Sequence, residues 1–165
     1  MGQWWDLDQE GVCPMGFFAP RSPEASGRQI TPISRDRLVA LFEAQEWKYF
    51  IDNEGDLGGN WDTNLFYFMI RGTTDQVLHI QSMWHVTPDM ERLEEIRFFL
   101  DTWHRDRLWP KCFHRITDEG RIRVFAEHNV DFEHGATDDQ LFDQVQCGLS
   151  TALQFYEALE SELGV

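Results

Sequence analysis

The stretch Phe98-Phe99-Leu100-Asp101-Thr102-Trp103-His104-Arg105-Asp106-Arg107-Leu108-Trp109-Pro110-Lys111-Cys112-Phe113-His114-Arg115-Ile116 decides the fold, because it joins an amphipathic helix to a β-strand. Proline has no N–H and disfavours the α region for the residue before it, so Pro110 ends the helix before Trp109 and sends the chain out extended. Upstream, Thr87 is predicted to cap a helix that Pro88 opens, with Leu93, Ile96, Leu100 and Trp103 forming one apolar stripe. Glu91, Arg92, Glu94, Glu95 and Arg97 then face water. Downstream, residues 111–116 and 121–130 flank the turn Thr117-Asp118-Glu119-Gly120, a hairpin signal. Ile122, Val124, Ala126 and Val130 share one face of its second strand, and Arg123, Phe125 and Glu127 share the other.

Further from this junction the same patterns recur. Ser34 is a plausible N-cap for a first helix over about residues 34–45, with Leu38, Leu41 and Phe42 at helical spacing. Trp47, Tyr49 and Ile51 alternate with polar and aromatic neighbours in a short strand. Asp52-Asn53-Glu54-Gly55-Asp56 has the carboxylates of half a calcium loop but places Leu57 at the sixth position and Thr63 at the twelfth, so it reads as a hairpin turn with Gly55 at positive φ. Leu65 to Ile70 is apolar throughout, and Gly72-Thr73-Thr74-Asp75 turns it into a strand from Gln76 to Trp84, completing a three-stranded meander. Thr137 and Gln140 form a capping box opening a final helix of about 25 residues, nearly 40 Å long at roughly 1.5 Å per residue. The element order is α-β-β-β-α-β-β-α, an α+β chain without internal repeats.

Composition bounds the function. A chain of 165 residues fits one domain, expected over 31–165, because it can bury roughly 70% of its unfolded surface around one core. Aromatics make up 14%, including 7 Trp and 13 Phe, so that core is expected to be aromatic-rich. A formal net charge of −15 repels phosphate backbones and anionic lipids, which speaks against nucleic acid and membrane and suits a basic protein partner. Residues 1–30, in which Gly2, Gly11, Pro14, Gly16, Pro20, Pro23 and Gly27 punctuate a stretch containing Trp4, Trp5, Phe17 and Phe18, form an N-terminal arm expected to dock on its own domain or a neighbouring subunit. Cys13, Cys112 and Cys147 are odd in number and widely spaced, the pattern of reduced thiols in a cytoplasm. No secretory leader, myristoylation signal or membrane-length apolar run is visible.

The element order, the Trp103-His104 and Trp109-Pro110-Lys111 junction, and the helix entry Gly135-Ala136-Thr137-Asp138-Asp139-Gln140-Leu141 together resemble the YbjN family of bacterial sensory transduction regulators, over about residues 30–163. That family ends its central helix in Asn-x-Trp-Asn before Pro-Lys. Here Asp101-Thr102-Trp103-His104 keeps the tryptophan, Pro110-Lys111 follows, and both asparagines are replaced. The resemblance implies a five-stranded antiparallel sheet backed by helices, similar to the small acidic chaperones of type III secretion, which dimerise and bind extended protein segments. It implies no chemistry.

The residues themselves carry no catalytic signature. There is no nucleophile elbow, phosphate-cradling loop or dinucleotide fingerprint. Of the six histidines, none are paired at His-x-x-x-His spacing on a helix, and Cys-x-x-Cys is absent; only His79, His114 and His128, all on strands, could converge on a metal. Cys112 and His114 lack a third group to orient the base. The expectation is therefore a protein without catalytic residues, cofactor or metal. The candidate site is a surface: if Phe66, Phe68, Ile70, Leu78, Ile80, Ile122 and Val124 face the helices, strand parity sends Tyr67, Met69, Met83 and Phe125 to the opposite face. That apolar patch fits a homodimer or a partner protein, unless the N-terminal arm covers it. The competing expectation is a small-ligand protein or enzyme with a pocket between the C-terminal helix and the sheet.

Overall fold

The computed structural model describes residues 29–165, so the expectations for the N-terminal arm and Cys13 lie outside the described residues. Ser34 does cap the first helix: its hydroxyl accepts from the Arg37 N–H, and α1 runs Arg35–Ala44 with Leu38, Leu41 and Phe42 buried. The chain then forms β1 (Phe50–Ile51), β2 (Leu57–Trp61), β3 (Asn64–Arg71) and β4 (Val77–Met83), crosses through α2 (Leu93–Asp106), returns as β5 (Lys111–Ile116) and β6 (Ile122–Asp131), and closes with α3 (Asp138–Leu163). One antiparallel sheet has the order β1-β2-β3-β4-β6-β5.

The sheet thus has six strands where five were expected. β1 is only two residues long, and the missed strand is Leu57-Gly58-Gly59-Asn60-Trp61, whose glycines read as punctuation. They are there for closeness. A Cβ on Gly58 would stand 2.4 Å from the Phe50 ring, and one on Gly59 would stand 2.5 Å from the Trp61 ring and 3.2 Å from the Lys48 carbonyl oxygen. The outer edges of the two aromatic rings reach over a backbone that must carry no side chain.

A second correction concerns the entry to α2. Thr87 and Pro88 do not start it; a 3-10 turn at Met90–Arg92 does, after Asp89. The Pro88 carbonyl instead accepts from the Ile122 N–H at 2.8 Å, and Asp89 bridges to Arg121, so the start of β6 holds this segment extended. The other end behaves as the proline dictates: α2 stops at Asp106, and β5 begins directly after a cis Trp109–Pro110 peptide.

All three helices pack on one side of the sheet. Phe66, Phe68, Leu78, Ile80, Ile122 and Val124 point at them and are almost wholly buried, as strand parity requires. Phe42 of α1 is the hub of the aromatic half of this core, with edge-on contacts to Phe68 at 4.9 Å, Trp47 at 5.2 Å, Trp61 at 6.0 Å and Tyr49 at 6.2 Å between ring centres. Further along, Trp103 of α2 meets Phe155 of α3 edge-on at 5.3 Å. α3 has the expected capping box, with Thr137 and Gln140 satisfying each other's backbone N–H, and it approaches the sheet at Gly148, where a Cβ would stand 2.6 Å from Ile80 Cδ1.

Arg37 ties the beginning of the described chain to the start of α3. Its guanidinium donates to the carbonyls of Thr31 (2.7 Å), Pro32 (2.8 Å) and Ala136 (2.9 Å) and forms an ion pair with Asp138 at 2.7 Å. Cys112 is a free, buried thiol, as expected for it, and Cys147 is buried on α3.

His128 is the one histidine sealed into this core, 4% exposed beneath α3, with Nε2 at 3.0 Å from Gln144 Oε1 and Nδ1 without a partner among the described residues. Burial pushes its pKa below the ordinary histidine value, against a smaller upward pull from Gln144. Below about pH 6.5 the unfolded chain takes a proton that the folded chain refuses, so stability is full above that pH and falls by up to about 1.4 kcal/mol per unit until the depressed folded value is reached. Urea titrations between pH 7 and 5 should therefore show a steeper acid loss for the wild type than for His128→Gln; parallel curves would refute this assignment.

Candidate functional site

Strand pairing fixes what the sheet presents on the side away from the described helices. One row across it reads Leu65, Met83, Phe125, Phe113, and the next reads Tyr67, Gln81, Glu127, Lys111, followed by Met69, His79, Asn129. The sequence-predicted residues are thus brought onto one face: Met83 lies directly opposite Phe125, with Tyr67 and Met69 in the two succeeding rows of β3. Met69 is the most enclosed at 9% exposure; Tyr67, Met83 and Phe125 are partly exposed.

Polar side chains knit the middle row. Glu127 accepts from Gln81 Nε2 and Lys111 Nζ, both at 2.7 Å. Burial alone would raise its pKa, but these two donors outweigh it and hold the carboxyl below its ordinary value. The row beyond Phe113 and Phe125 was not singled out from the sequence. There Arg115 of β5 stands directly opposite Arg123 of β6. Phe113 and Phe125 stack at 5.1 Å with 13° between planes, and the Arg115 guanidinium lies 5.4 Å from the centre of each ring. Arg123 donates to Met83 Sδ at 3.0 Å. Counting outward symmetrically from the predicted turn Thr117–Gly120 would pair 113 with 124 and 115 with 122; the hairpin instead centres on Glu119, with the Thr117 N–H donating to the Arg121 carbonyl, and that one-residue difference is what sets the two arginines opposite each other.

A second feature lies on the covered side, where the β2–β3 hairpin and the residues after β4 meet α3. A cleft of about 540 Å³ is lined by Trp61, Asn64, His85, Leu153, Tyr156 and Glu160, among others. Asp62 and Thr63 both have positive φ, as a two-residue hairpin turn of this hand requires, and Asn64 secures the turn. Its Nδ2 donates to the Asp62 carbonyl at 3.1 Å and its Oδ1 accepts from the His85 N–H at 2.9 Å. Glu160 accepts from the Trp84 indole at 2.9 Å, and the Tyr156 hydroxyl pairs with Ser82 at 2.8 Å.

The catalytic and metal readings can now be placed. His79 projects from the open face, whereas His114 and His128 project toward the helices, so the strand histidines do not converge. No cluster of three or more metal-binding side chains occurs among the described residues. Burial pushes the Cys112 thiol far up, so it stays protonated, and its Sγ donates to the Pro110 carbonyl. No helix among the described residues is long and apolar enough to cross a membrane.

The fold and this face define an α+β protein with one antiparallel sheet, layered with helices on a single side. The YbjN family model, described as "Putative bacterial sensory transduction regulator", matches residues 34–161, and the chain belongs to that family. Among solved structures it is similar to Escherichia coli YbjN, described as a putative transcription regulator, with a TM-score of 0.65 at 14% identity, covering 81% of this chain and 96% of that one. It is also similar to an uncharacterized protein from Methanothermobacter thermautotrophicus, with a TM-score of 0.52 at 12% identity, covering 78% of this chain and 98% of that one. At these identities the likeness is one of fold. No curated protein matches.

Proposed function

We propose that this YbjN-family chain is a non-enzymatic, chaperone-like regulatory adaptor of the cytoplasm that binds another protein, and itself as a dimer, through the open face or free edge of its sheet, in sensory transduction or stress regulation. One observation carries the reading: every described helix packs on the same side, leaving Tyr67, Met69, Met83, Phe113 and Phe125 on the other. Apolar sheet faces of this kind mark interfaces, and methionines adapt to varied partner side chains. The family description supports a regulatory role in general.

Met69→Glu and Phe125→Glu test it. Phe125→Glu places a carboxylate at a partly exposed position of the face, so it should fold with native circular dichroism yet lose self-association in sedimentation and lose the proteins captured by wild type from native lysate. Met69→Glu, at a position only 9% exposed, should lose both at a further cost in stability and counts where its circular dichroism is native. Undiminished dimer and undiminished capture in both variants would overturn the proposal. The cleft under α3 supports a second reading, a small-ligand protein, because it joins an apolar wall to convergent polar groups.

A further inference from the structure

The chain carries 29 acidic residues, yet its most concentrated basic feature sits on the very face proposed for binding. Arg115 and Arg123 are directly opposed across β5 and β6, an arrangement that is destabilising for like charges. Neither forms an ion pair with a carboxylate among the described residues, while Arg37, Arg71, Arg92, Arg97, Arg105 and Arg121 all do. Arg115 rests on two aromatic rings, and one Arg123 N–H is spent on a thioether, a weak acceptor. Apart from the longer-range pull between Arg123 and Glu119 of the turn, no carboxylate among the described residues is paired with either arginine, and the rings and thioether that hold them leave most of their N–H groups unspent.

The strand that carries Arg115 is also a sheet edge. Among the described residues β5 pairs only with β6, and His104 Nε2 accepts the outward N–H of Cys112 at 2.9 Å, while the strand continues through His114 to an exposed Ile116 with no described strand beside it. We propose that this corner, β5 with Arg115, Arg123, Phe113 and Phe125, binds an acidic, extended segment of a partner protein. The segment adds as a strand to β5 with an acidic and an apolar residue two positions apart, so that both fall on the same face, the carboxylate against the two guanidinium groups and the apolar side chain on the stacked phenylalanines. This rests on the adaptor reading above and reverses one expectation drawn from net charge, that the partner is basic.

The remaining occupants fit less well. A second copy meeting strand to strand would set Lys111 and Arg115 near their own counterparts. A long polyanion samples the whole field of a −15 chain, whereas a short segment laid on β5 meets Arg115 and Arg123 at close range, where Glu119 and Glu127 are already engaged by Arg123 and Lys111.

The test uses the full chain and fluorescence anisotropy with three labelled probes: a short peptide repeating Asp-Thr-Val-Thr, which puts Asp and Val on one face of a strand, its Lys-Thr-Val-Thr counterpart, and a single-stranded DNA oligonucleotide. The acidic peptide should bind saturably and weaken with salt. Arg115→Gln and Arg123→Gln should each weaken it at least about tenfold, as loss of a charge-assisted contact does, while Arg97→Gln on α2 should not. Arg123→Gln should at the same time raise Tm by about 1–4 °C by removing the opposed charge, which separates lost binding from lost folding. No saturable binding of the acidic peptide, equal binding of the lysine peptide, or DNA binding with the same arginine dependence would overturn the proposal. If Phe125→Glu abolishes capture from lysate but both glutamine variants retain it, the acidic partner is overturned and the adaptor face stands. If Phe125→Glu and Met69→Glu also retain it, the adaptor reading falls as well.

Discussion

Phe42→Ala should lower the unfolding free energy by about 3–5 kcal/mol and Tm by roughly 6–20 °C, the largest loss expected from any single truncation in this chain. Phe42 is fully buried and meets four other aromatic rings from β2, β3 and the segment after α1. Those neighbours cannot collapse into the gap. Trp61 is pinned over Gly59, and Phe68 is fixed in the β3 ladder between β2 and β4. The residual cavity therefore stays open, and its surface adds to the lost transfer energy. Urea denaturation followed by tryptophan fluorescence measures the effect directly, and a loss below about 1 kcal/mol would mean that the hub does not exist as described.

Arg37→Leu should cost about 2–3 kcal/mol, far more than a surface arginine, because three backbone carbonyls and the Asp138 carboxylate lose their donor together. The side chain is 18% exposed, so its partners are only partly able to recover with water. Arg37→Lys should restore less than half of the loss, since one ammonium cannot reach four acceptors spread over Thr31, Pro32, Ala136 and Asp138. Proteolysis adds a local readout: cleavage near residues 29–33 should accelerate in both variants. Wild-type stability in Arg37→Leu would show that this guanidinium is a bystander.

Neither of these residues announced its role in the sequence, and the difference from what was legible is physical. The caps at Ser34 and Thr137, the parity of β4 and β6, and the stop before Pro110 depend on neighbours within about four positions, so a local reading recovers them. The strand at Leu57–Trp61 depends on rings from Phe50 and Trp61 closing over two glycines, which no local propensity records. The start of α2 was misplaced because Pro88 and Asp89 are held by residues more than thirty positions away, at Ile122 and Arg121. The same holds for the site. Strand parity put Tyr67, Met69, Met83 and Phe125 on one face, but the opposed arginines need the β5–β6 register, and the cleft is assembled from three separate segments.

The position of α3 has a consequence for how the protein must be made. This helix is the last element of the chain, yet it covers β4 and β6 in the middle of the sheet. A ribosome therefore delivers all six strands with α1 and α2 while the middle of the side bearing Leu78 and Ile80 still lacks its α3 cover, and at ordinary elongation rates the interval before the 26 residues of α3 follow is on the order of a few seconds. During that interval the nascent sheet exposes an apolar strip that the finished fold buries. Chains released before Asp138 have no means of closing and fall to aggregation or to the cell's holdases, so this protein is itself a demanding client during translation.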